Sequence, residues 1–152
     1  MDDVIREVER DPRWREGLDA SHQPADTTTA DAICCALRRV TNLLAPSATV
    51  TYTASGATCL RASRERPGAP ILALTPKPEI ARRLALVWGV HPVPFNEAEG
   101  FDRMVADGVV VARLHGLADV GDDVVVVAGF PFGRPGRTNL LHVVRVGEEP
   151  AV

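Results

Sequence analysis

Two short segments carry the residues best suited to chemistry. The first, Thr53-Ala54-Ser55-Gly56-Ala57-Thr58, sets three hydroxyls around one glycine. It follows the β-rich run Ala48-Thr49-Val50-Thr51 and precedes a helix-like stretch ending near Arg64. Gly56 lets the chain turn tightly with no Cβ clash. A strand that turns there into a helix leaves unpaired N–H groups and hydroxyls at the positive end of a helix dipole. Such a place suits a phosphate. The second segment is Gly133-Arg134-Pro135-Gly136-Arg137-Thr138-Asn139. Its arginines offer planar, bidentate recognition of phosphate or carboxylate. Together the segments point to a site for a phosphorylated metabolite. A plainer use is open to both: Ser-Gly-x-Thr also makes a turn and helix cap, and Arg134 and Arg137 also suit a solvated loop.

The remaining reactive residues form weaker patterns. Cys34 and Cys35 are adjacent and Cys59 stands alone, with no zinc-type spacing. They are expected as buried, reduced thiols on helix faces. His22, His91, His115 and His142 are scattered, and no spacing pairs them with a nucleophile or a carboxylate. For an enzyme acting on a phosphate ester, the nearest acid–base candidates are Asp122 and His142, and neither sits in a catalytic motif. Lys77 is the only lysine. Arg61, Arg64, Arg66, Arg82 and Arg83 are expected as surface charges, and Trp14 and Trp88 as packing residues.

Alternating strand and helix patterns position the two segments. Val4, Ile5 and Val8 form a helical stripe over Asp2–Glu9, which Asp11-Pro12 ends. Residues 13–27 are irregular and polar, as in a connection. Thr28-x-x-Asp31 resembles a capping box, with Asp for the usual Glu or Gln, opening a long helix that Pro46 stops. Strands are expected at Ala48–Thr53, Ile71–Leu74, Val90–Phe95, Val124–Ala128 and Leu140–Val146. Pro92 and Pro94 make the third short or an edge. Helices are expected at Gly56–Arg64, from Pro76 or Pro78 to Trp88, and at Phe101–His115. This alternation predicts an α/β fold: a three-layer sandwich with a five-stranded, mostly parallel sheet and helices on both faces. The last strand follows its predecessor with no room for a crossover helix, so it runs antiparallel. Ligands of such sheets bind beyond the carboxyl ends of strands, where both segments fall.

With 152 residues, the chain suffices for one domain with a real core. A 45% hydrophobic and 24% charged composition is that of an ordinary globular protein. The net charge of −3 argues against a general nucleic-acid binder. No apolar run reaches the length of a membrane span. The charged first residues hold no signal-peptide core, so a cytoplasmic location is expected.

The segments, read in order, resemble the C-terminal domain of pyruvate kinase. The matching residues begin with Asp31-Ala32-Ile33, Thr53-x-Ser55-Gly56-x-Thr58 and Arg66-Pro67-x-x-Pro70-Ile71-x-Ala73-Leu74-Thr75-Pro76. They continue with Ala81-Arg82-x-Leu84-Ala85-Leu86-x-Trp88-Gly89-Val90, Gly121-Asp122 and Ala128-Gly129-x-Pro131-x-Gly133-x-Pro135-Gly136-x-Thr138-Asn139. The resemblance implies residues 1–27 as a leading helix and connection, and 28–152 as the α/β domain. It implies a regulatory and assembly role, with a homo-oligomer as the expected state. A phosphorylated sugar or nucleotide monophosphate would bind at Thr53, Ser55, Gly56, Ala57 and Thr58. Arg134, Gly136, Arg137 and Thr138 would close over it. Ala54 and Ala57 stand where some relatives carry larger polar or charged side chains, which leaves the effector's identity open.

In the full family enzyme, a catalytic barrel with magnesium and potassium ions transfers the phosphoryl group from phosphoenolpyruvate to ADP. No catalytic residue of that barrel can be matched here. The chain alone is therefore expected to be inactive, with no metal or cofactor of its own. The alternative is a stand-alone phosphometabolite-binding protein of the same fold without kinase activity.

Overall fold

The computed structural model describes residues 2–20, 26–96, 100–131 and 137–147. Helices α1 (Asp2–Arg10) and α2 (Pro12–Ala20) come first. The second replaces part of the expected irregular connection, and Asp11 supplies the reason. Its carboxylate accepts the Arg13 N–H at 2.9 Å, which caps α2. Pro12 takes the first helical position, where a missing N–H goes unnoticed. The pair that ends α1 therefore also starts α2. Val4, Ile5 and Val8 of α1 remain at least half exposed.

The long helix α3 (Thr29–Leu44) is capped by Thr28. The Thr28 hydroxyl accepts the Asp31 N–H at 3.2 Å and donates to Asp31 Oδ2 at 2.7 Å. Asp31 thus takes the hydroxyl proton, while the Thr28 N–H bonds the Asp26 carbonyl. This is the local consequence of a side chain shorter than Glu. The helix ends at Ala45, which is left-handed (φ 46°), just before Pro46.

Then come β1 (Ala48–Tyr52), α4 (Ala57–Arg64), β2 (Ile71–Thr75), α5 (Pro78–Leu84) and β3 (Val90–Pro94). They are followed by α6 (Phe101–Leu114), β4 (Asp123–Ala128) and β5 (Leu140–Arg145). The expected helix up to Trp88 is shorter. After Leu84 the chain continues in tight turns, Leu86 N–H to Arg83 O and Val87 N–H to Leu84 O, to Gly89 at φ 70°.

The strands form one sheet in the order β3-β2-β1-β4-β5. All pairs are parallel except β4 with β5, which is antiparallel as expected. Every residue of β1 and β2 is buried, as in a sheet covered on both sides. On one face Val50, Leu72, Leu74, Val124 and Val126 pack against Met104, Val105, Val111 and Ala112 of α6. On the other, Ile71, Ala73, Val125 and Val127 meet Leu37 of α3, Cys59 and Ala62 of α4 and Leu84 of α5. This is the three-layer sandwich.

The prolines of β3 are explained by its edge position. The Gly89 carbonyl accepts from Ile71 N–H, and Phe95 N–H donates to the Thr75 carbonyl. Odd-numbered residues therefore turn their backbone groups toward β2. Pro92 and Pro94 fall on the outward alternation, where no donor is needed.

Candidate functional site

The strand order places a topological switch point between β1 and β4. From β1 the chain leaves through α4 on one face, while it reaches β4 through α6 on the other. The crevice at the carboxyl ends of these strands is where open α/β sheets take ligands. The loop after β1 holds Thr53–Thr58, and the loop after β4 leads to Thr138.

Backbone bonding builds the first loop. Thr53 N–H donates to the Leu74 carbonyl at 3.0 Å. Its buried hydroxyl accepts the Gly56 N–H at 2.8 Å. Gly56 is left-handed (φ 89°) and is the N-cap of α4, with no side-chain cap bond. Leu60 N–H closes the first helical bond onto the Gly56 carbonyl. The N–H groups of Ala57, Thr58 and Cys59 therefore have no partner inside the helix. Ser55 is exposed, and its hydroxyl lies 3.5 Å from the Ala57 N–H, at the limit of a hydrogen bond.

The second loop is held just as tightly at its base. Asn139 brackets Phe130: its Oδ1 accepts the Phe130 N–H at 2.8 Å, and its Nδ2 donates to the Phe130 carbonyl at 2.7 Å. A Cβ on Gly129 would stand 2.1 Å from the Arg137 carbonyl oxygen, so the two loop arms touch there only because residue 129 has no side chain. Arg137 is exposed and Thr138 is buried. Arg134 and Gly136 lie outside the described residues.

Between the loops, the Thr58 and Thr138 hydroxyls meet at 2.9 Å. The residues are 80 positions apart, and both are buried. The structure thus brings Thr53, Ser55, Gly56, Ala57 and Thr58 together with Thr138 around one α4 N-terminus. Pattern alone left that meeting open. Thr53 turns inward and shapes the turn, whereas Thr58 and Thr138 form the contact between the loops.

Several other expectations are corrected. Arg61 and Arg64 are not simple surface charges. Arg64 bonds the buried Asp31 carboxylate at 2.6 Å and Arg61 approaches it at 3.6 Å. The Thr28 hydroxyl, with Arg64 and Arg61 behind it, holds the Asp31 carboxyl below its usual range despite burial. Arg66 lies over the Trp88 ring, 4.3 Å from its centre. Trp88 is a packing residue as expected: it meets Trp14 at 6.4 Å and donates its indole N–H to Glu9. Asp122 precedes β4, at the far end of that strand from the loops, and its carboxylate accepts the Asp119 N–H. His142 packs edge-on against Phe101. These two residues do not form an acid–base pair at the crevice.

The three cysteines are free thiols. Burial raises Cys34 to about 12 and Cys59 to about 11, which keeps both thiols protonated at neutral pH. Cys35 is only half-buried. His91 and His115, 24 positions apart, meet at 3.0 Å, a pairing that no local pattern signals. Among the described residues, no group of three or more His, Cys, Asp or Glu side chains is placed to hold a metal ion. Nor, among them, is any helix long and apolar enough to cross a membrane.

The five-stranded sheet in the order β3-β2-β1-β4-β5, covered by helices on both faces, defines the class: a three-layer α/β domain. Within that class, the model of the family described as "Pyruvate kinase, alpha/beta domain" matches residues 31–144. The chain belongs to this family. It is 39% identical over 151 residues to a pyruvate kinase of Methylorubrum extorquens, covering 99% of this chain and 32% of that protein. A pyruvate kinase of Agrobacterium vitis is 36% identical over 146 residues, covering 96% of this chain and 30% of that protein. One from Lactobacillus delbrueckii subsp. bulgaricus is 35% identical over 149 residues, covering 98% and 25%. The chain spans about a third or less of the length of these relatives.

Proposed function

We propose that this chain is the regulatory and assembly domain of a pyruvate kinase and that a phosphorylated sugar or nucleotide monophosphate binds between its two loops. The observation that carries this reading is the Thr58–Thr138 contact at the switch point. There the Thr58–Thr138 pair adjoins the α4 N–H groups that have no partner inside the helix; those groups, and the one hydroxyl proton not used between the threonines, are donors that a phosphate oxygen accepts. Ser55 adds an exposed hydroxyl at the rim. Arg137, with Arg134 and Gly136 from the same loop, would close over the ligand.

In this reading residues 28–152 form the binding domain, and residues 1–27 lead into it. Phosphoryl transfer from phosphoenolpyruvate to ADP belongs to a separate catalytic barrel of the cytoplasmic full enzyme. Magnesium and potassium would serve that barrel. The described residues supply no clustered set of His, Cys, Asp or Glu ligands for them, and no step of the proposal runs through these ions. The domain would self-associate. An effector would act by favouring one quaternary state, with a coupling of about 1–3 kcal/mol.

A thermal-shift titration with fructose 1,6-bisphosphate, glucose 6-phosphate, ribose 5-phosphate and AMP tests the reading, with inorganic phosphate as control. A ligand at about 100 times its Kd adds roughly 2.7 kcal/mol. For a domain of this size that raises Tm by on the order of 5–10 °C. A selective shift that disappears in Ser55→Ala/Thr58→Ala is the expected result. No shift beyond that of inorganic phosphate overturns the effector site.

A further inference from the structure

His91 and His115 form the one pair of imidazoles in contact among the described residues, well separated in the chain from the phosphate loops. His91 Nε2 and His115 Nδ1 stand 3.0 Å apart, and the ring centres are 4.9 Å apart at an interplanar angle of 63°. Both residues are exposed. Their backbones are fixed by different elements. His91 lies in edge strand β3, in register with Leu72, and is followed by Pro92. His115 is the C-cap of α6, with its N–H bonded to the Val111 carbonyl, and Gly116 at φ 67° turns the chain away.

We propose that this pair is a chelating site for a borderline divalent transition-metal ion such as nickel, copper or zinc. Three observations support it. Metal–imidazole bonds of about 2.0–2.1 Å place neighbouring ligand nitrogens roughly 3.0 Å apart in an octahedron and 3.3 Å apart in a tetrahedron, and the observed separation is 3.0 Å. The contact is an N–H···N hydrogen bond, so chelation moves that proton to the other nitrogen of the donor ring and rotates the side chains until both lone pairs aim at one ion. The rings are tilted rather than stacked, which leaves room for that rotation.

The site also sits at the carbonyl end of α6, the negative pole of its dipole, where a cation is favoured. Arg113 in the same last turn opposes it. Water completes the coordination, because both rings face solvent. Imidazole selects nickel, copper and zinc over magnesium and calcium, which prefer oxygen. A bound ion would pin edge strand β3 to the corner between α6 and β4.

The test uses the untagged chain, titrated with nickel and followed by calorimetry and by ¹⁵N–¹H spectra. Paramagnetic nickel broadens amides near the ion. The signals of His91, Val93, His115 and Gly116 are expected to broaden first, with saturable binding of one ion per chain. His91→Gln or His115→Gln is expected to weaken binding at least about tenfold, the lower bound for losing even an outer-shell partner. A magnesium excess is expected to leave the wild-type binding unchanged. Both positions are exposed, and unchanged thermal unfolding of the apo variants verifies that they fold. The proposal is overturned if broadening centres elsewhere or if the variants bind nickel as the wild type does. It is also overturned if no saturable binding occurs below about 1 mM, the weakest affinity worth calling a site.

Discussion

The Thr58–Thr138 hydrogen bond makes a prediction about stability that is independent of any ligand. The two hydroxyls meet at 2.9 Å, and the residues are 8% and 1% exposed. Valine has nearly the shape of threonine, so Thr58→Val removes a hydroxyl with little change in packing. It leaves the Thr138 hydroxyl buried without this partner. Such an orphan costs about 1–3 kcal/mol, and Thr138→Val should cost a similar amount through Thr58. The double variant replaces both partners with apolar groups of the same shape, a change that is close to neutral. Its loss should therefore fall below the sum of the single losses by about 0.5–3 kcal/mol. Urea unfolding of the four proteins, with equal m-values, measures this coupling. If the two losses add within about 0.5 kcal/mol, the hydroxyls are not bonded in solution and the two loops do not meet as described. The same variants separate stability from binding. The double variant should regain stability while the phosphate-ester binding proposed for the wild type stays lost, because neither valine donates a hydrogen bond.

Two further outcomes follow from the geometry. Gly129→Ala would put a Cβ 2.1 Å from the Arg137 carbonyl oxygen. The obstacle is backbone and cannot rotate away. The variant should lose about 1–3 kcal/mol or more and lower Tm measurably in a calorimetric scan, and a Tm equal to wild type would refute the close approach. Acid should weaken the fold through Asp31 and Asp122, whose carboxyls are held below the ordinary carboxylate range, chiefly by the Thr28 hydroxyl and by the Asp119 N–H respectively. A depressed folded-state value means that the contribution is present above about pH 4 and is lost as pH falls through that lower value. Urea midpoints of wild type and Asp31→Asn between pH 5 and pH 2 check the sign. The variant should show the shallower decline, and an identical decline would remove Asp31 from the account.

What the sequence made legible was mostly local. The Val124–Val127 run, the prolines of β3 and the short β4–β5 connection each constrain one strand, and each matches its place in the sheet. The misreadings were also local, where two signals shared the same residues. Asp11-Pro12 was a stop for α1, yet a carboxylate followed by proline is equally a helix start, and it opens α2. Gly89 was a helix end, but the chain had already left α5 at Leu84 and reached Gly89 through turns.

The candidate site was legible as two loops, and its geometry was not. Hydroxyl-rich turns after strands announce themselves by residue type, so Thr53–Thr58 and Thr138 stood out. Whether a given hydroxyl faces a ligand or the backbone depends on one torsion and its neighbours, which residue type does not record. Thr53 shows the difference: its hydroxyl closes onto the Gly56 N–H and so holds the turn open for others. Partnerships spanning the fold were hidden for a related reason. Asp31 with Arg64, Trp88 with Glu9 and His91 with His115 are separated by 33, 79 and 24 positions. Each member alone has the pattern of an ordinary polar or aromatic residue. Contacts between elements distant in sequence supply these partners: α3 with α4, α1 with the turn after α5, and β3 with the end of α6. The switch point is likewise a matter of the whole fold, set by α4 on one face of the sheet and α6 on the other, so a feature invisible along the chain underlies the proposed phosphate site.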